Sequence, residues 1–297
     1  MDPMSSQLIS KLKHKVVIVL RLLGLKSKLK KWPVLSLEET NRIKSSVRII
    51  DTKTTLNTIR EAIEKEKKGA YLRFGDGDIN LMYGINDIYQ QKDKSLSKEM
   101  KQAFLLSHGA IHKSLPIHSK QFGFEDGMNS KKHLLPDDLA LKYISATHEF
   151  FVNEKVYSPV ALHHLAIYDT NYCISFLKFL KSKNPIFVGN KDISPNIINK
   201  LFGKDTVGSP SINAFTEIDR IEADLEAILK ANINAFRVVV IAMGCSGRVL
   251  QKRIIKKDYN VYLFDFGSLL DAFNGNQTRS WIKDASIENL QNILNEL

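Results

Sequence analysis

The hydrophobic positions of the chain follow two patterns, short continuous apolar runs and longer segments with helical spacing. The continuous runs, rich in β-branched and aromatic residues, occupy positions 70–74, 185–190, 238–243 and 261–265. Such runs are typical of parallel strands that helices cover on both faces. The pattern therefore predicts an α/β fold with a Rossmann-like, mostly parallel sheet flanked by helices.

Between these runs the apolar residues recur every three or four positions. This spacing predicts helices at 52–68, 96–107 and 216–232, a helix that ends near Lys257, and a mostly helical stretch over 137–182. The interval 108–135 is rich in Gly, His, Ser and Asp, and we interpret it as irregular. A loop of this length is either functional or a surface excursion, and the sequence is compatible with both.

An acidic turn, Gly75-Asp76-Gly77-Asp78, follows the first strand and leads into a helical pattern. A strand, tight turn and helix in this order place ligand groups at the carboxyl edge of a parallel sheet. Glycine lets a ligand approach the backbone closely, and aspartate oxygens suit a Mg²⁺ or Mn²⁺ ion that shares its shell with a diphosphate. Arg73, just before the turn, is suited to pair with phosphate or with the aspartates. The competing interpretation is a turn whose carboxylates only cap the helix.

Later strands end in groups that would meet the same edge of the sheet. They are Gly189 and Asn190 after one strand, Gly244, Ser246 and Gly247 at the start of a helix, and Asp265 at the end of the last strand. Backbone N–H groups at a helix start favour a phosphate, although many such turns need glycine for geometry alone. Together with the acidic turn, these groups indicate a site for a nucleotide diphosphate and a cation.

Composition and charge divide the chain into two parts. The 297 residues are 43% hydrophobic, which is enough for one large α/β domain. Of the net charge of +11, residues 1–35 contribute +7, because they hold eight Lys or Arg against one Asp. The rest carries only +4, so the basic composition does not indicate a nucleic-acid partner. We predict a basic N-terminal segment, 1–35, and a single domain, 36–297.

The N-terminal segment interleaves apolar and basic residues. Its apolar runs at 16–20 and 22–25 are too short and too charged for a transmembrane helix, and no cleavage site of a secretory signal follows them. A basic amphipathic helix at 11–31 on the anionic inner face of the cytoplasmic membrane fits this pattern. We therefore expect a cytoplasmic protein with peripheral membrane contact; the alternative is a surface helix packed on the domain.

The cysteines and histidines give no metal-site spacing. Cys173 and Cys245 are far apart, and neither lies in a Cys-x-x-Cys motif, which fits a reducing compartment and predicts neither a disulfide framework nor a zinc site. The adjacent pair His163-His164 would point to different faces of a helix, and we assign it a structural or surface role.

The segment Arg73-Phe74-Gly75-Asp76-Gly77-Asp78 resembles the Arg-Phe-Gly-Asp-Gly-Glu signature of the bacterial GT-D fold glycosyltransferases. Further resemblances follow in the same order at 186–190, 210–215, 240–250 and 263–267, so that the similarity spans roughly 54–275. The chain departs from the family pattern at Asp78, where the family has Glu, and lacks Pro-Thr in the Gly244 turn.

This resemblance implies a metal-dependent glycosyltransferase with a GT-D type fold. Its donor would be a nucleotide-diphosphate sugar, a UDP-sugar above all, and its acceptor a glycan or lipid-linked molecule of cell-surface polysaccharide or glycoprotein glycan synthesis. Asp76 and Asp78 would hold Mn²⁺ or Mg²⁺. An inverting enzyme would also need a carboxylate base, and we select Asp265 for it because of its position at the rim of the sheet. The donor would be bound by Arg73, Gly75, Gly189, Asn190, Gly244, Ser246 and Gly247.

Other classes of protein remain compatible with the residues. An S-adenosylmethionine-dependent methyltransferase also uses a glycine-rich turn after its first strand, although it prefers Gly-x-Gly there and an acidic residue at the end of the next strand. A non-catalytic sugar-nucleotide-binding module would keep the fold without turnover, and an interaction protein would act through residues 1–35. A binding experiment separates the methyltransferase from the glycosyltransferase. The methyltransferase would bind S-adenosylmethionine without metal, and the glycosyltransferase would bind a UDP-sugar with metal.

Overall fold

The computed structural model describes residues 32–33, 35–107, 109–124, 134–151, 155–276, 280–283 and 285–297. The chain divides into two units, Met1–Pro33 and Val34–Leu297, and the second is described below. The predicted membrane-binding helix at 11–31 lies outside the described residues. Among those that are described, no helix is long and apolar enough to cross a membrane.

Helices and strands alternate along the second unit. The strands are β1 (Arg48–Ile49), β2 (Gly69–Arg73), β3 (Ala110–Ser114), β4 (Lys155–Val156), β5 (Ile186–Asn190), β6 (Thr206–Ser209), β7 (Arg237–Ala242) and β8 (Val261–Asp265). The helices are α1 (Leu37–Ser46), α2 (Thr52–Glu64), α3 (Asp76–Met82), α4 (Lys94–Phe104), α5 (Asp137–Thr147), α6 (Ala161–Tyr168), α7 (Thr170–Ser182), α8 (Pro195–Leu201), α9 (Ile218–Lys230), α10 (Ser246–Lys256), α11 (Leu269–Phe273) and α12 (Ile287–Asn295). Short 3₁₀ helices lie at Lys120–Phe122, Ala214–Glu217 and Ser280–Lys283.

Six strands form one sheet in the order β3-β2-β8-β7-β5-β6, and every neighbouring pair is parallel. The chain runs outward from β2 to β3 at one edge and from β5 to β6 at the other, and β7 and β8 fill the centre. The carboxyl ends of β2, β8, β7 and β5 therefore meet along one edge of the sheet, where ligands bind in folds of this kind. The predicted fold class is confirmed.

Both faces of the sheet are covered by helices. Tyr71 of β2 belongs to a hydrophobic core cluster with Leu56, Ile59 and Ile63 of α2. The next residue, Leu72, is also fully buried but points to the opposite face, because side chains alternate along a strand. Continuous apolar strands are stable here because helices cover both sides.

The four predicted strands and the predicted helices are present, with ends that shift by at most four residues. Four strands were not predicted, namely β3 and β6 of the six-stranded sheet and the two-residue strands β1 and β4. The interpretation of 108–135 as irregular is wrong for the residues of β3. The reason is the polar composition of β3. His112 Nδ1 lies 2.6 Å from the Tyr262 hydroxyl, and Lys113 Nζ donates to the Phe104 carbonyl at 2.6 Å. Burial lowers the pKa of His112 to about 4 and that of Lys113 to about 8.

An ion-pair cluster joins α4 to α10, the helix that begins at the carboxyl edge of the sheet. Glu99 of α4 accepts from Lys252 Nζ at 2.7 Å and from Arg253 Nη2 at 2.5 Å. Arg253 also contacts Glu222 of α9 at 2.8 Å. These hydrogen bonds, those from Arg253 above all, lower the pKa of Glu99 to about 2.

We predict that Glu99→Gln lowers the free energy of unfolding by about 1.5–3 kcal/mol at pH 7, because it weakens charge-assisted hydrogen bonds in a largely buried cluster. The folded-state pKa of Glu99 lies below its usual value of 4.5. The stabilisation is therefore present above pH 4.5 and lost as the pH falls towards 2. Urea unfolding of both proteins between pH 7 and 3 should show the difference shrinking. Glu61→Gln, in an exposed pair with Lys65, is the control and should stay close to wild type.

Candidate active site

A cavity of about 660 Å³ opens at the carboxyl edge of the sheet. Its wall includes the acidic turn after β2, the ends of β5, β7 and β8, and the segments that follow them. Residues from both faces of the sheet contribute, since the cavity spans the strand ends. The predicted residues among its lining are Arg73, Gly75, Asp76, Asp78, Asn190, Gly244, Ser246 and Asp265.

The acidic turn forms the first turn of α3. Asp78 Oδ2 accepts from the N–H of Gly75 at 2.7 Å, so this carboxylate caps the helix start. Asp76 is exposed at the cavity wall, and its Oδ1 accepts from the Gly77 N–H at 2.9 Å. A Cβ at Gly77 would lie 2.5 Å from Asp87 Oδ1, so a larger residue here would require that third carboxylate to shift. Of the two aspartates of the turn, Asp78 therefore caps the helix, and Asp76 leaves its carboxylate exposed.

Asp78 and Asp265 share one arginine. Arg248 of α10 lies with Nε 3.6 Å from Asp78 Oδ1, and its Nη1 forms an ion pair with Asp265 Oδ2. On the other side Arg73 Nη1 is 3.5 Å from Asp265 Oδ1. The two carboxylates are each only 2% exposed. A chain of four alternating charges, Arg73–Asp265–Arg248–Asp78, therefore runs through the floor of the cavity; we call it the ion chain.

Burial raises the pKa of the Asp78 carboxyl to about 6, although the charge of Arg248 and the Gly75 N–H favour its ionised form. The nearby carboxylates of Asp265 and Asp87 act in the same direction as burial. Arg248 is held charged by its two carboxylate partners, and its Nη1 also donates to the Gly244 carbonyl at 3.0 Å. The sequence analysis did not select Arg248, because one arginine on an amphipathic helix carries no local signal.

Arg73 is fixed from three directions. Its Nε donates to the Pro159 carbonyl at 2.5 Å, which joins β2 to the segment before α6, and its Nη1 faces Asp265. The third contact is with Gly267. The guanidinium of Arg73 occupies the space of a side chain there, since a Cβ at Gly267 would lie 1.5 Å from Arg73 Nη1. Gly267 also has a φ of +72°, a conformation that other residues rarely adopt. Gly267 was not among the predicted site residues, although it belongs to the segment 263–267, which resembles a segment of the GT-D family.

The donor set at the acidic turn fits a hard divalent cation that shares its shell with phosphate. Asp76 offers an exposed carboxylate, and Asp78 Oδ1 is a buried oxygen without a hydrogen-bond partner. Within the described part of the chain, no group of three or more His, Cys, Asp and Glu side chains is arranged to hold a metal. A cation at this turn would need further oxygen ligands, as Mg²⁺ commonly takes from substrate phosphates and water.

The glycine turn before α10 lies at the cavity wall beside the ion chain. Ser246 Oγ donates to Gln90 Oε1 at 2.9 Å, which attaches the segment after α3 to this turn. Asn190 Oδ1 accepts from the Asp192 N–H at 3.0 Å. The two other predicted glycines are closely packed: a Cβ at Gly189 would lie 2.8 Å from the Ala242 carbonyl, and one at Gly247 would lie 3.0 Å from Ile241 Cγ2.

The lining of the cavity also includes aromatic side chains. His163 of α6 stacks on Trp281, with ring centroids 4.3 Å apart and an interplanar angle of 16°. Trp281 Nε1 donates to Ser268 Oγ at 3.1 Å. The sequence analysis gave His163 a structural role and did not select Trp281, which follows the last predicted strand by 16 residues and has no motif around it. His164 fits the structural interpretation, since it is buried beside Tyr168.

This combination of a parallel sheet, an acidic turn with adjacent guanidinium groups and a helix start in one cavity is suited to binding a nucleotide diphosphate. The model of the family described as glycosyltransferase GT-D fold matches residues 71–274. The chain belongs to this family. A search of curated proteins found no match.

Solved structures support the same fold. The selenomethionine-substituted structure of domain of unknown function 1792 is similar with a TM-score of 0.57, at 20% identity over 77% of this chain and 81% of that one. A second structure of this domain, described as having a distinct glycosyltransferase fold, gives 0.55 at 20% identity over 77% and 80%. A glycosyltransferase (DUF1792) from Streptococcus sanguinis gives 0.56 at 16% identity over 74% and 81%.

We predict that Gly267→Ala destabilises the protein by about 2–4 kcal/mol, the sum of left-handed backbone strain and a steric clash with Arg73. The matched control is Gly84→Ala, at a φ of +70° with open space around the Cβ position. It carries the backbone strain alone and should cost about 1–2 kcal/mol. Chemical denaturation measures both variants; equal losses would contradict the proposed packing of Gly267 on Arg73.

Proposed function

We propose that this protein is a metal-dependent glycosyltransferase that moves a sugar from a nucleotide-diphosphate sugar, a UDP-sugar in the first place, to a glycan or lipid-linked acceptor. The observation that carries the proposal is the exposed carboxylate of Asp76 beside the ion chain and the start of α10, in one cavity of a GT-D family member. The process we expect it to serve is the synthesis of cell-surface polysaccharide or of glycoprotein glycans.

Asp76 is the principal proposed ligand of Mn²⁺ or Mg²⁺, and Asp78 the second. A bound divalent cation would neutralise charge that develops on the departing diphosphate. Asp78 has a further duty in the protein itself, because it caps α3 and balances the charge of Arg248. Replacing Asp78 would therefore change stability as well as ligand binding, whereas Asp76 is exposed and can be tested without that complication.

The diphosphate is proposed to lie between the acidic turn and the start of α10. The N–H groups at Cys245 and Ser246 are oriented by the helix start, where the helix dipole favours an anion. Arg73 and Arg248 supply positive charge at the floor of the cavity and are held in place by Asp265. Fixed donors of this kind stabilise a developing negative charge without having to reorganise.

We propose Asp265 as the catalytic base of an inverting transfer. Its placement in the cavity wall supports this assignment, since a base must come within hydrogen-bond reach of the acceptor hydroxyl. Its ion pairs with Arg73 and Arg248 give it a positioning role in addition. An Asp265→Asn variant would therefore affect both the proton transfer and the orientation of the two arginines.

We predict that a UDP-sugar with Mn²⁺ raises the melting temperature of the wild type by about 5–10 °C at a hundredfold excess over its Kd. Asp76→Asn should remove most of this shift and leave the melting temperature of the free protein unchanged. Asp138→Asn, an exposed carboxylate on α5 in a pair with Lys142, is the control and should keep the full shift.

The same thermal-shift measurement tests the alternatives. An undiminished shift in Asp76→Asn would contradict its role as metal ligand. A shift with S-adenosylmethionine but with none of the nucleotide sugars would favour the methyltransferase. A shift with UDP-sugar in a protein that neither hydrolyses nor transfers the sugar would indicate the non-catalytic module.

The basic segment 11–31 is proposed to hold the protein on the inner face of the cytoplasmic membrane. Each basic side chain near an anionic leaflet contributes about 1 kcal/mol, and salt should weaken the attraction. We predict that the full chain co-sediments with anionic liposomes at low salt and that a chain beginning at Ser36 does not. Equal pelleting of the two proteins would exclude the segment as a membrane anchor.

A further inference from the structure

The lining of the cavity contains a further arrangement, apart from the acidic turn and the start of α10. It consists of His163 from α6, Ser268 after β8 and Trp281 from the 3₁₀ helix at Ser280–Lys283, and we call it the aromatic platform. All three residues line the same cavity as Asp76 and Asp265. Trp281 lies beyond the part of the chain that the family model matches, which ends at residue 274.

The indole of Trp281 is held on two sides. The imidazole of His163 lies parallel to it at a centroid distance of 4.3 Å, and the indole N–H donates to Ser268 Oγ at 3.1 Å. Ser268 Oγ is in turn 3.4 Å from His163 Nε2, so that the three side chains contact one another in a closed group. Because the indole N–H is already bonded, the half-buried indole presents apolar ring surface to the cavity.

A fixed aromatic face with hydroxyl and carboxylate groups around it is chemically suited to a sugar ring. One face of a pyranose carries C–H bonds, which are attracted to the negative face of an aromatic ring, and its hydroxyls need polar partners at the rim. Ser268 provides a hydroxyl beside the indole, and Asp271 of α11 contributes a carboxylate to the lining of the same cavity. A platform held by neighbours before binding also loses little conformational entropy on binding.

Charge separates the groups of the cavity that suit the donor from those that suit the acceptor. The diphosphate of the donor belongs with the guanidinium groups of the ion chain, the helix start at Ser246 and the cation proposed at Asp76. The aromatic platform contains none of these groups, and Ser268 follows Asp265, the proposed base, by only three residues. A sugar on the platform would therefore lie near the base that must reach the acceptor hydroxyl.

From this arrangement we infer that the aromatic platform of His163, Ser268 and Trp281 is the acceptor subsite, and that the acceptor presents an uncharged pyranose stacked on Trp281. The inference rests on the proposed glycosyl transfer and narrows its acceptor to a molecule that ends in a sugar. Trp281 is then a specificity-determining residue, outside the machinery that binds the nucleotide.

The test uses the full chain and measures acceptor and donor binding separately. The chain has two tryptophans, Trp32 and Trp281, so Trp32→Phe leaves Trp281 as the single tryptophan fluorophore. The probes are methyl pyranosides of glucose, galactose and N-acetylglucosamine at millimolar concentration, with methyl glucuronide as the charged comparison. We expect a saturable change of Trp281 fluorescence with at least one neutral pyranoside and a weaker change with the glucuronide.

Variants then assign the effect to the platform. In saturation-transfer NMR with the same pyranosides, Trp281→Ala should weaken binding at least tenfold, and Trp281→Phe, which keeps an aromatic face, by about threefold or less. Ser268→Ala should give an intermediate loss, because it removes the partner of the indole N–H. The melting-temperature shift with UDP-sugar and Mn²⁺ should stay at the wild-type value in all three variants.

Two results would overturn the inference: wild-type protein that binds none of the neutral pyranosides, or a Trp281→Ala variant that loses the UDP-sugar shift together with pyranoside binding. The second result would assign the platform to the donor sugar. Failure of the proposed function has a different signature, since the wild type itself would then show no shift with any nucleotide sugar. If Trp281→Ala does not melt cooperatively, pyranoside binding and the UDP-sugar shift are compared between the wild type, Trp281→Phe and Ser268→Ala.

Discussion

The four alternating charges of Arg73, Asp265, Arg248 and Asp78 are the constraint on which the rest of the site depends. Two carboxylates that are 2% exposed are stable only because guanidinium groups lie between and beside them. Removal of one partner would leave an uncompensated buried charge, which typically costs 3–5 kcal/mol. The ion chain thereby fixes the relative positions of β2, β8, α10 and the first turn of α3.

The topology of the sheet explains why these elements meet. β2 and β8 are neighbours, β7 pairs with β8, and the connections from β2 and β5 run outward to opposite edges. A crevice forms where such connections diverge, at the carboxyl ends of the strands. The ion chain lies in the floor of this crevice. The same crevice holds the charged groups that suit a phosphate and the stacked rings of His163 and Trp281.

The sequence by itself determined the fold class and the place of the acidic turn. Continuous apolar runs such as 238–243 can be buried on both faces only in a parallel sheet between helices, and their order requires βαβ connections. Asp76 and Asp78 lie in the turn after β2 and Asp265 ends β8, so the edge at which they meet follows from strand polarity alone. β3 escaped prediction because its polar residues are satisfied by distant partners, Tyr262 for His112 and the Phe104 carbonyl for Lys113.

The tertiary structure alone decided which of these side chains meet and what each can do. Asp76 and Asp78 are two positions apart, yet one is exposed and the other is buried against Arg248, 170 residues further along the chain. Trp281 has no local motif and reaches the cavity only because the chain returns there after β8. Sequence patterns record which face of an element is apolar. They do not record which distant charge or ring packs against it, because that depends on the completed fold.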